Sequence, residues 1–288
     1  MTWRQKSVTY AVVVPFAIVL AFPFYFALVT MFKTNLDLAD VEHSPYLYND
    51  LEGGGFHWDF WNYATTEHVR FLFQDTNYPK WLLNTLLVGA AVVGITLLLA
   101  MPAGYALARL AGSWGQSAGV AIFLIYLIPP TLLFLPLSRL ITQLDLKDSL
   151  WSLILIYPSF TVPFSTWLLM GFFKTIPQEL EDAALIDGAS RLKAFALIIL
   201  PISLPGILTA VIFAFSLCVN EFIYAFTFIS SSEQRTVSAG IPNDLIRGDV
   251  FFWQSLMAAT LIPAIPLALL YNAFLDRFIK GFTGGAFR

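Results

Sequence analysis

Long apolar runs decide what this chain can fold into before any motif does. Tyr10 to Phe32 is a run of 23 residues without a charged side chain, and a helix crossing a bilayer core needs about 20. Backbone polar groups in hydrocarbon must bond within their own segment, so such a run is read as a helix. Five further runs follow, about Leu82–Leu110, Ala118–Leu137, Leu150–Phe173, Ile198–Ile229 and Phe251–Leu275. Residues are 58% hydrophobic and 12% charged, with mean hydropathy +0.71, whereas a soluble domain carries about 25% charged residues. The expected fold class is an all-α integral membrane protein with six transmembrane helices.

The first run is too long for a signal-peptide core and no small-x-small cleavage site follows it, so it reads as a retained span. Pro15 and Pro23 inside it are tolerated in membrane helices. Pro129, Pro130 and Pro136 are expected to interrupt the third run; such breaks sometimes line a substrate path but more often only shape packing. A net charge of −3 gives no basis for nucleic-acid binding. Cys218 is the single cysteine, which excludes an internal disulfide, and its apolar surroundings make it a small core or lipid-facing residue.

Residues 33–80 hold eight acids against three Lys or Arg, the triplet Gly53-Gly54-Gly55 and the aromatics Trp58, Phe60, Trp61 and Tyr63. At 48 residues the segment is too large for a plain connection and is expected to form a small extramembrane subdomain. Both an aromatic interfacial belt and a docking surface for an outside partner fit it. His43, His57 and His68 all fall here, and their spacing matches no metal site, so no metal ligation is expected.

The polar stretch Thr175–Pro201 interrupts the apolar second half. Thr175 and Gln178 have capping-box spacing, and Pro177 fits a first turn. Glu179 to Ile186 are mostly good helix formers, and Gly188 supplies a turn. A second helix is expected from near Ala189, with Asp187 accepting hydrogen bonds at its start. With both termini inside, cytoplasmic segments carry Arg4, Lys6, Arg109, Lys174, Arg191, Lys193, Arg277, Lys280 and Arg288, nine basic residues against seven outside. Three of those seven belong to 33–80, a long segment that crosses largely regardless of charge. The stretch and both termini are therefore expected in the cytoplasm.

Asp182-Ala183-Ala184, Gly188, Ile198, Leu200 and Pro201 fit the pattern E-A-A-x3-G-x9-I-x-L-P. This resembles the EAA loop of ABC importer permeases, and ELEDAALIDGAS resembles its form in the maltose-type carbohydrate branch. Asn220-Glu221-Phe222 is similar to that branch's Asn-Glu-Phe, and Gly281-Phe282-Thr283-Gly284-Gly285-Ala286 to its tail. Asp182 departs from Glu at the first motif position, with Glu181 just before it. The resemblance implies a type I ABC importer permease fold: first span 1–32, extracytoplasmic segment 33–80, five-span core 81–276 with a coupling helix at 175–190, and cytoplasmic tail 277–288.

The resemblance further implies a non-enzymatic subunit of a bacterial inner membrane, multi-pass, working in membrane lipid. Its partners would be a second related permease subunit, two ATP-binding subunits holding ATP and Mg, and an extracytoplasmic substrate-binding protein or lipoprotein. No G-x-x-x-x-G-K-[S/T] phosphate loop occurs in the chain, so no cofactor is expected on it. Glu181, Asp182, Ala183, Ala184, Asp187, Gly188, Ile198, Leu200 and Pro201 are the expected ATPase-coupling residues. Leu180 and Ile186 can bury in a partner groove. Gly281, Gly284 and Gly285 permit an extended tail strand between the ATPases. Glu221 is the only acid within the expected spans, which makes it a functional candidate; with Asn220 it would contact a hydroxyl-rich substrate, gate the path, or pair with a neighbouring helix. A neutral di- or oligosaccharide such as trehalose or maltose is the expected cargo. The alternative is a stand-alone transporter driven by an ion gradient, against which a single span acid and no visible repeat count.

Overall fold

The computed structural model describes residues 3–48 and 63–283, and nearly all regular structure there is helical. The chain divides into two compact units: Met1–Pro79 with Ile241–Pro266, and Lys80–Gly240 with Leu267–Arg288.

The first unit opens with α1 (Trp3–Met31), which holds Pro15 and Pro23 without interruption. Phe16, Val19 and Phe24 are exposed around it, as expected of a helix apolar on all sides. The short α2 (Asn35–Ala39) starts at Thr34, whose hydroxyl accepts from the Asp37 amide. Beside it lies a buried polar knot. Lys33 Nζ donates to Asp37 Oδ2 at 3.0 Å and to the Ser44 carbonyl at 2.8 Å, and His43 Nδ1 meets Asp37 Oδ1 at 3.1 Å. A buried lysine persists only when paired in this way. α3 (Glu67–Gln74) buries His68 and Leu72. The glycine triplet, His57, Trp58, Phe60 and Trp61 lie outside the described residues.

The second unit is built on α4 (Tyr78–Tyr105), which ends in a π-helical turn at Ala106–Leu110. A 3-10 turn leads to α5 (Gly115–Tyr126), and α6 (Pro130–Gln143) leaves it at 83°. The break at Pro129 and Pro130 is the one expected. Pro136, however, sits inside α6, which runs past the expected end at Leu137; one missing donor is tolerated where the remaining ladder holds. α7 (Leu150–Ile156) and α8 (Pro158–Thr175) together form a 26-residue apolar stretch.

After α9 (Glu179–Ile186) come α10 (Arg191–Ala194), a π-helical turn at Phe195–Ile199, and α11 (Leu200–Ile202). α12 (Leu204–Asn220) departs at 77°. The single helix expected over Ile198–Ile229 is thus broken at Ser203, and again at Glu221 before α13 (Ile223–Phe228). Pro205 lacks the donor that would continue the ladder, and the Ser203 hydroxyl turns back to the Ile199 carbonyl at 2.6 Å. One core of this unit gathers Val88, Leu153, Tyr157, Phe160, Cys218 and Phe228; another gathers Ala100, Tyr105, Leu169, Phe173, Phe195 and Ile199. Cys218 is therefore a core residue.

The polar region Ser230–Val250, between the last two apolar runs, carries α14 (Val237–Leu245) and a two-stranded antiparallel ladder. In it β1 (Ile246–Arg247) sets Ile246 opposite Phe251 of β2 (Val250–Phe251). Last is α15 (Trp253–Thr283). By length and apolarity four helices among the described residues can cross a bilayer, or six if each bent pair counts as one crossing.

Candidate functional site

α9 occupies the residues expected of it, Glu179–Ile186. Glu179, Glu181 and Asp182 crowd its first turn, where carboxylates complement the positive end of the helix dipole. The capping box does not form. Thr175 is the last residue of α8 and its hydroxyl donates to the Phe172 carbonyl at 2.8 Å, while the N-cap Gln178 makes no side-chain capping bond. A threonine ending one helix is too early to cap the next.

At the other end Gly188 adopts φ +87°, the left-handed conformation that glycine reaches without steric cost. Its amide donates to the Leu185 carbonyl at 3.1 Å, and the Ala189 amide to Ala184 at 2.9 Å, the paired bonds of a Schellman stop. Asp187 is the C-cap of α9 and does not cap the following helix. Ser190 does, its hydroxyl accepting from the Lys193 amide, so that helix starts at Arg191 and not near Ala189. Serine is three residues closer to the start than Asp187 and reaches the orphan donor.

The faces of α9 are distinct. Glu181 (3% exposed) and Ala184 (8%) turn inward. Glu179, Leu180, Asp182, Ala183, Ile186 and Asp187 are exposed, with Ile186 at 86%. Ile198 and Leu200 are half-buried and Pro201 exposed on the helical segment that follows. The motif residues therefore divide between an outward face and an inward one.

The inward face meets the end of α4. The Tyr105 hydroxyl donates to Glu181 Oε1, and Arg109 Nη2 donates to the Ile176 carbonyl at 2.5 Å. Arg109 Nε stands 3.6 Å from Glu181 Oε2. Tyr105 also packs on Phe195 with ring centroids 4.6 Å apart. Sequence reasoning missed Tyr105 and used Arg109 only to count charge. Their i, i+4 spacing, which places both on one helix face, was the available signal.

Glu221 sits at the C-cap of α12. Its carboxylate accepts from the Tyr157 hydroxyl at 2.7 Å and from the amides of Tyr224 and Ala225 at 3.0 and 3.1 Å. The Ser238 hydroxyl donates to its carbonyl at 2.6 Å, and the Tyr224 hydroxyl to the Pro130 carbonyl at 2.7 Å. Glu221 thus bridges the α12 break to Tyr157 at the α7–α8 joint and to residues of α13 and α14 in the same unit. Asn220 is exposed and donates to Ser216 within its own helix at 2.8 Å. The two neighbours do not share one hydrogen-bonding site. A cavity of about 320 Å³ lies at the α5–α6 break, bordered by Tyr126, Pro129, Pro130, Leu133, Ser159 and Leu217; neither Asn220 nor Glu221 borders it.

Gly281 is helical, as the last residues of α15 run to Thr283, so the extended strand expected there does not begin at Gly281. Gly284 and Gly285 lie outside the described residues. Burial lowers the pKa of His68, whose Nε2 makes no hydrogen bond. Among the described residues no three His, Cys, Asp or Glu side chains gather to hold a metal ion.

Comparison with known proteins points one way. The family described as "binding-protein-dependent transport system inner membrane component" matches residues 100–284. The inner membrane ABC transporter permease protein YcjP of Escherichia coli (strain K12) is 30% identical, covering 94% of this chain and 92% of that protein. The trehalose/maltose transport system permease protein MalG of Thermococcus litoralis is 31% identical over 77% of this chain and 80% of its own length. The sulfoquinovosyl glycerol transport system permease protein SmoH of Agrobacterium fabrum is 34% identical over 75% of both. In fold, the chain is similar to a crystal structure of a bacterial ABC transporter involved in import of the acidic polysaccharide alginate. The TM-score is 0.77 at 16% identity, covering 96% of this chain and 97% of that one.

Proposed function

Since this chain belongs to the binding-protein-dependent transport system inner membrane component family, we propose that it forms half of the translocation path of an ATP-driven carbohydrate importer, receiving force through α9. The observation that carries the coupling role is the outward face of α9. Leu180 and Ile186 are exposed apolar side chains on a helix rimmed by Glu179, Asp182 and Asp187. Apolar anchors with a charged rim are the anatomy of a specific interface. Gly188 holds the turn that sets this face off from the next helix. The chain has no phosphate loop, so the ATP and Mg belong to a separate pair of ATPase subunits.

On this reading six crossings place both termini in the cytoplasm, and the residues after α15 approach the ATPases. ATP binding closes the motor, displaces α9 and switches the pathway from inward to outward opening. A second, related permease subunit supplies the other half of the path, and an external binding protein delivers the cargo. Relatives carry names from trehalose and maltose to sulfoquinovosyl glycerol. A neutral di- or oligosaccharide is the favoured cargo, because the expected spans carry no basic residue except Arg109 at a span end. Glu221, engaged with Tyr157 and two amides, acts by fixing the α12 break that borders the path.

The test is Gly188→Pro and, separately, Ala183→Asp in the importer reconstituted with its ATPases and binding protein. Ala183 is chosen because Ala184 is buried within this chain. Uptake of labelled trehalose and maltose, and ATP hydrolysis, are measured together. Substrate-stimulated hydrolysis is expected to fall at least about tenfold in both, the effect of about 1.4 kcal/mol lost at the interface. Undiminished stimulation in both variants contradicts the coupling role.

A further inference from the structure

Glu181 is a motif-adjacent carboxylate that does not face outward. It is 3% exposed and receives the Tyr105 hydroxyl, with Arg109 Nε 3.6 Å from its second oxygen. Arg109 also reaches past it to the Ile176 carbonyl, at the joint between α8 and α9. Three elements, the end of α4, the α8–α9 joint and the first turn of α9, are thus tied at one buried point. Both Tyr105 and the ring of Phe195, 4.6 Å away, stand beside π-helical turns, at Ala106–Leu110 and Phe195–Ile199. Such turns recur at functional sites.

We propose that Tyr105, Glu181 and Arg109 form a weld that makes α9 and the cytoplasmic end of α4 one rigid body. Displacement of α9 is thereby delivered to α4, and Glu181 is a positioning residue and not a motor contact. This rests on the reading that α9 receives force. The chemistry suits a weld. A buried charge pair is held by its partners, and removing one leaves the other uncompensated. Asp182, one residue on and about 100° further round the helix, is exposed, so a single helix turn carries both an internal anchor and an external contact.

The experiment uses the complete importer with its ATPases. Spin labels replace Glu179 on α9 and Leu87 on α4, both exposed, in a Cys218→Ala background. Leu87 lies about 27 Å along the helix axis from Tyr105 at 1.5 Å per residue. Dipolar spectroscopy is recorded without nucleotide and with bound ATP. The wild-type chain is expected to give one narrow distance in both states. Tyr105→Phe and Glu181→Gln are expected to broaden it and to shift its mean with ATP by about 5 Å, one helical turn.

A wild-type distance that itself shifts with ATP overturns the weld. So does a variant with a lower melting temperature but an unchanged, nucleotide-independent distance, since the cluster is then only packing. Should Tyr105→Phe fail to fold, Arg109→Lys keeps the charge but loses the guanidinium fork, and the same reading decides. If no ATPase subunit accompanies the wild-type chain, the coupling reading fails by itself. The nucleotide-free distance widths then still decide the weld.

Discussion

Removing the Glu221 carboxylate tests whether the α12 break is held by a satisfied, half-buried carboxylate. Glu221→Ala withdraws the acceptor from the Tyr157 hydroxyl and from the Tyr224 and Ala225 amides. Tyr157 is fully buried, so its hydroxyl is left without a partner at about 1–3 kcal/mol. The two amides open α13, where losing a capping acceptor costs about 0.5–2 kcal/mol. The expected destabilisation is therefore about 1.5–5 kcal/mol. Tyr157→Phe alone removes one bond to a charged acceptor and is expected to cost about 1.5–3 kcal/mol.

The double variant discriminates better than either single one. Once the Tyr157 hydroxyl is gone, Glu221→Ala no longer strands it. The double variant should then cost less than the two singles combined by about 1–3 kcal/mol, the range for groups in one network. Neutral hydrogen bonds between membrane helices couple by only about 0.6 kcal/mol on average, so the size of the coupling separates a charge-centred bridge from an ordinary contact. Reversible unfolding in mixed detergent micelles supplies the free energies. Additivity to within about 0.5 kcal/mol would refute the bridge.

Two further predictions concern packing and pH. A methyl group at Gly115 would stand 2.3 Å from the Leu107 carbonyl oxygen, and one at Gly119 would stand 2.3 Å from the Met170 sulfur. Backbone cannot yield as a flexible methionine can, so Gly115→Ala is expected to cost the upper part, and Gly119→Ala the lower part, of the roughly 1–3 kcal/mol range for overpacking; equal melting temperatures would contradict this. Asp148 accepts from the Ser231 hydroxyl and from the Ser231 and Ser230 amides, and these bonds, with the Arg235 charge, hold its carboxyl below the ordinary value of 3.8. Its depressed pKa means that the stabilisation is present above the ordinary carboxylate range and lost as pH falls through the folded value. The stability gap between wild type and Asp148→Ala is thus expected to be constant from neutral pH to about 4 and to shrink below it; a gap that closes above pH 5, well above the carboxylate range, contradicts the assignment.

Local features were legible in the sequence where local chemistry decides them. Glu179 to Ile186 form α9 as read, because acids at the first turn and a glycine after the last one set both ends. Pro129 and Pro130 break the third run because they remove donors whatever surrounds them. What failed depended on which neighbour reached a group first. Thr175 was already spent in α8, and Ser190 stood nearer to the next helix than Asp187. The tyrosine hydroxyls that reach Glu221 and Glu181, those of Tyr157 and Tyr105, come from 64 and 76 residues away, beyond any periodicity. That Glu181 is internal while Asp182 is exposed is a matter of helix rotation, which a motif spaced along the chain does not specify.

Contact between the outward face of α9 and an ATPase subunit is measured by a photo-crosslinking scan from Glu179 to Asp187 in the assembled importer. A photoreactive residue placed in turn at each position reports contact by adducts to a co-purified ATPase subunit. Adducts are expected at Leu180, Asp182, Ala183 and Ile186, which are exposed, and none at Glu181 or Ala184, which are buried against their own chain. Adducts from Glu181 and Ala184 with none from the exposed positions, or no ATPase adduct from any position, would contradict that contact.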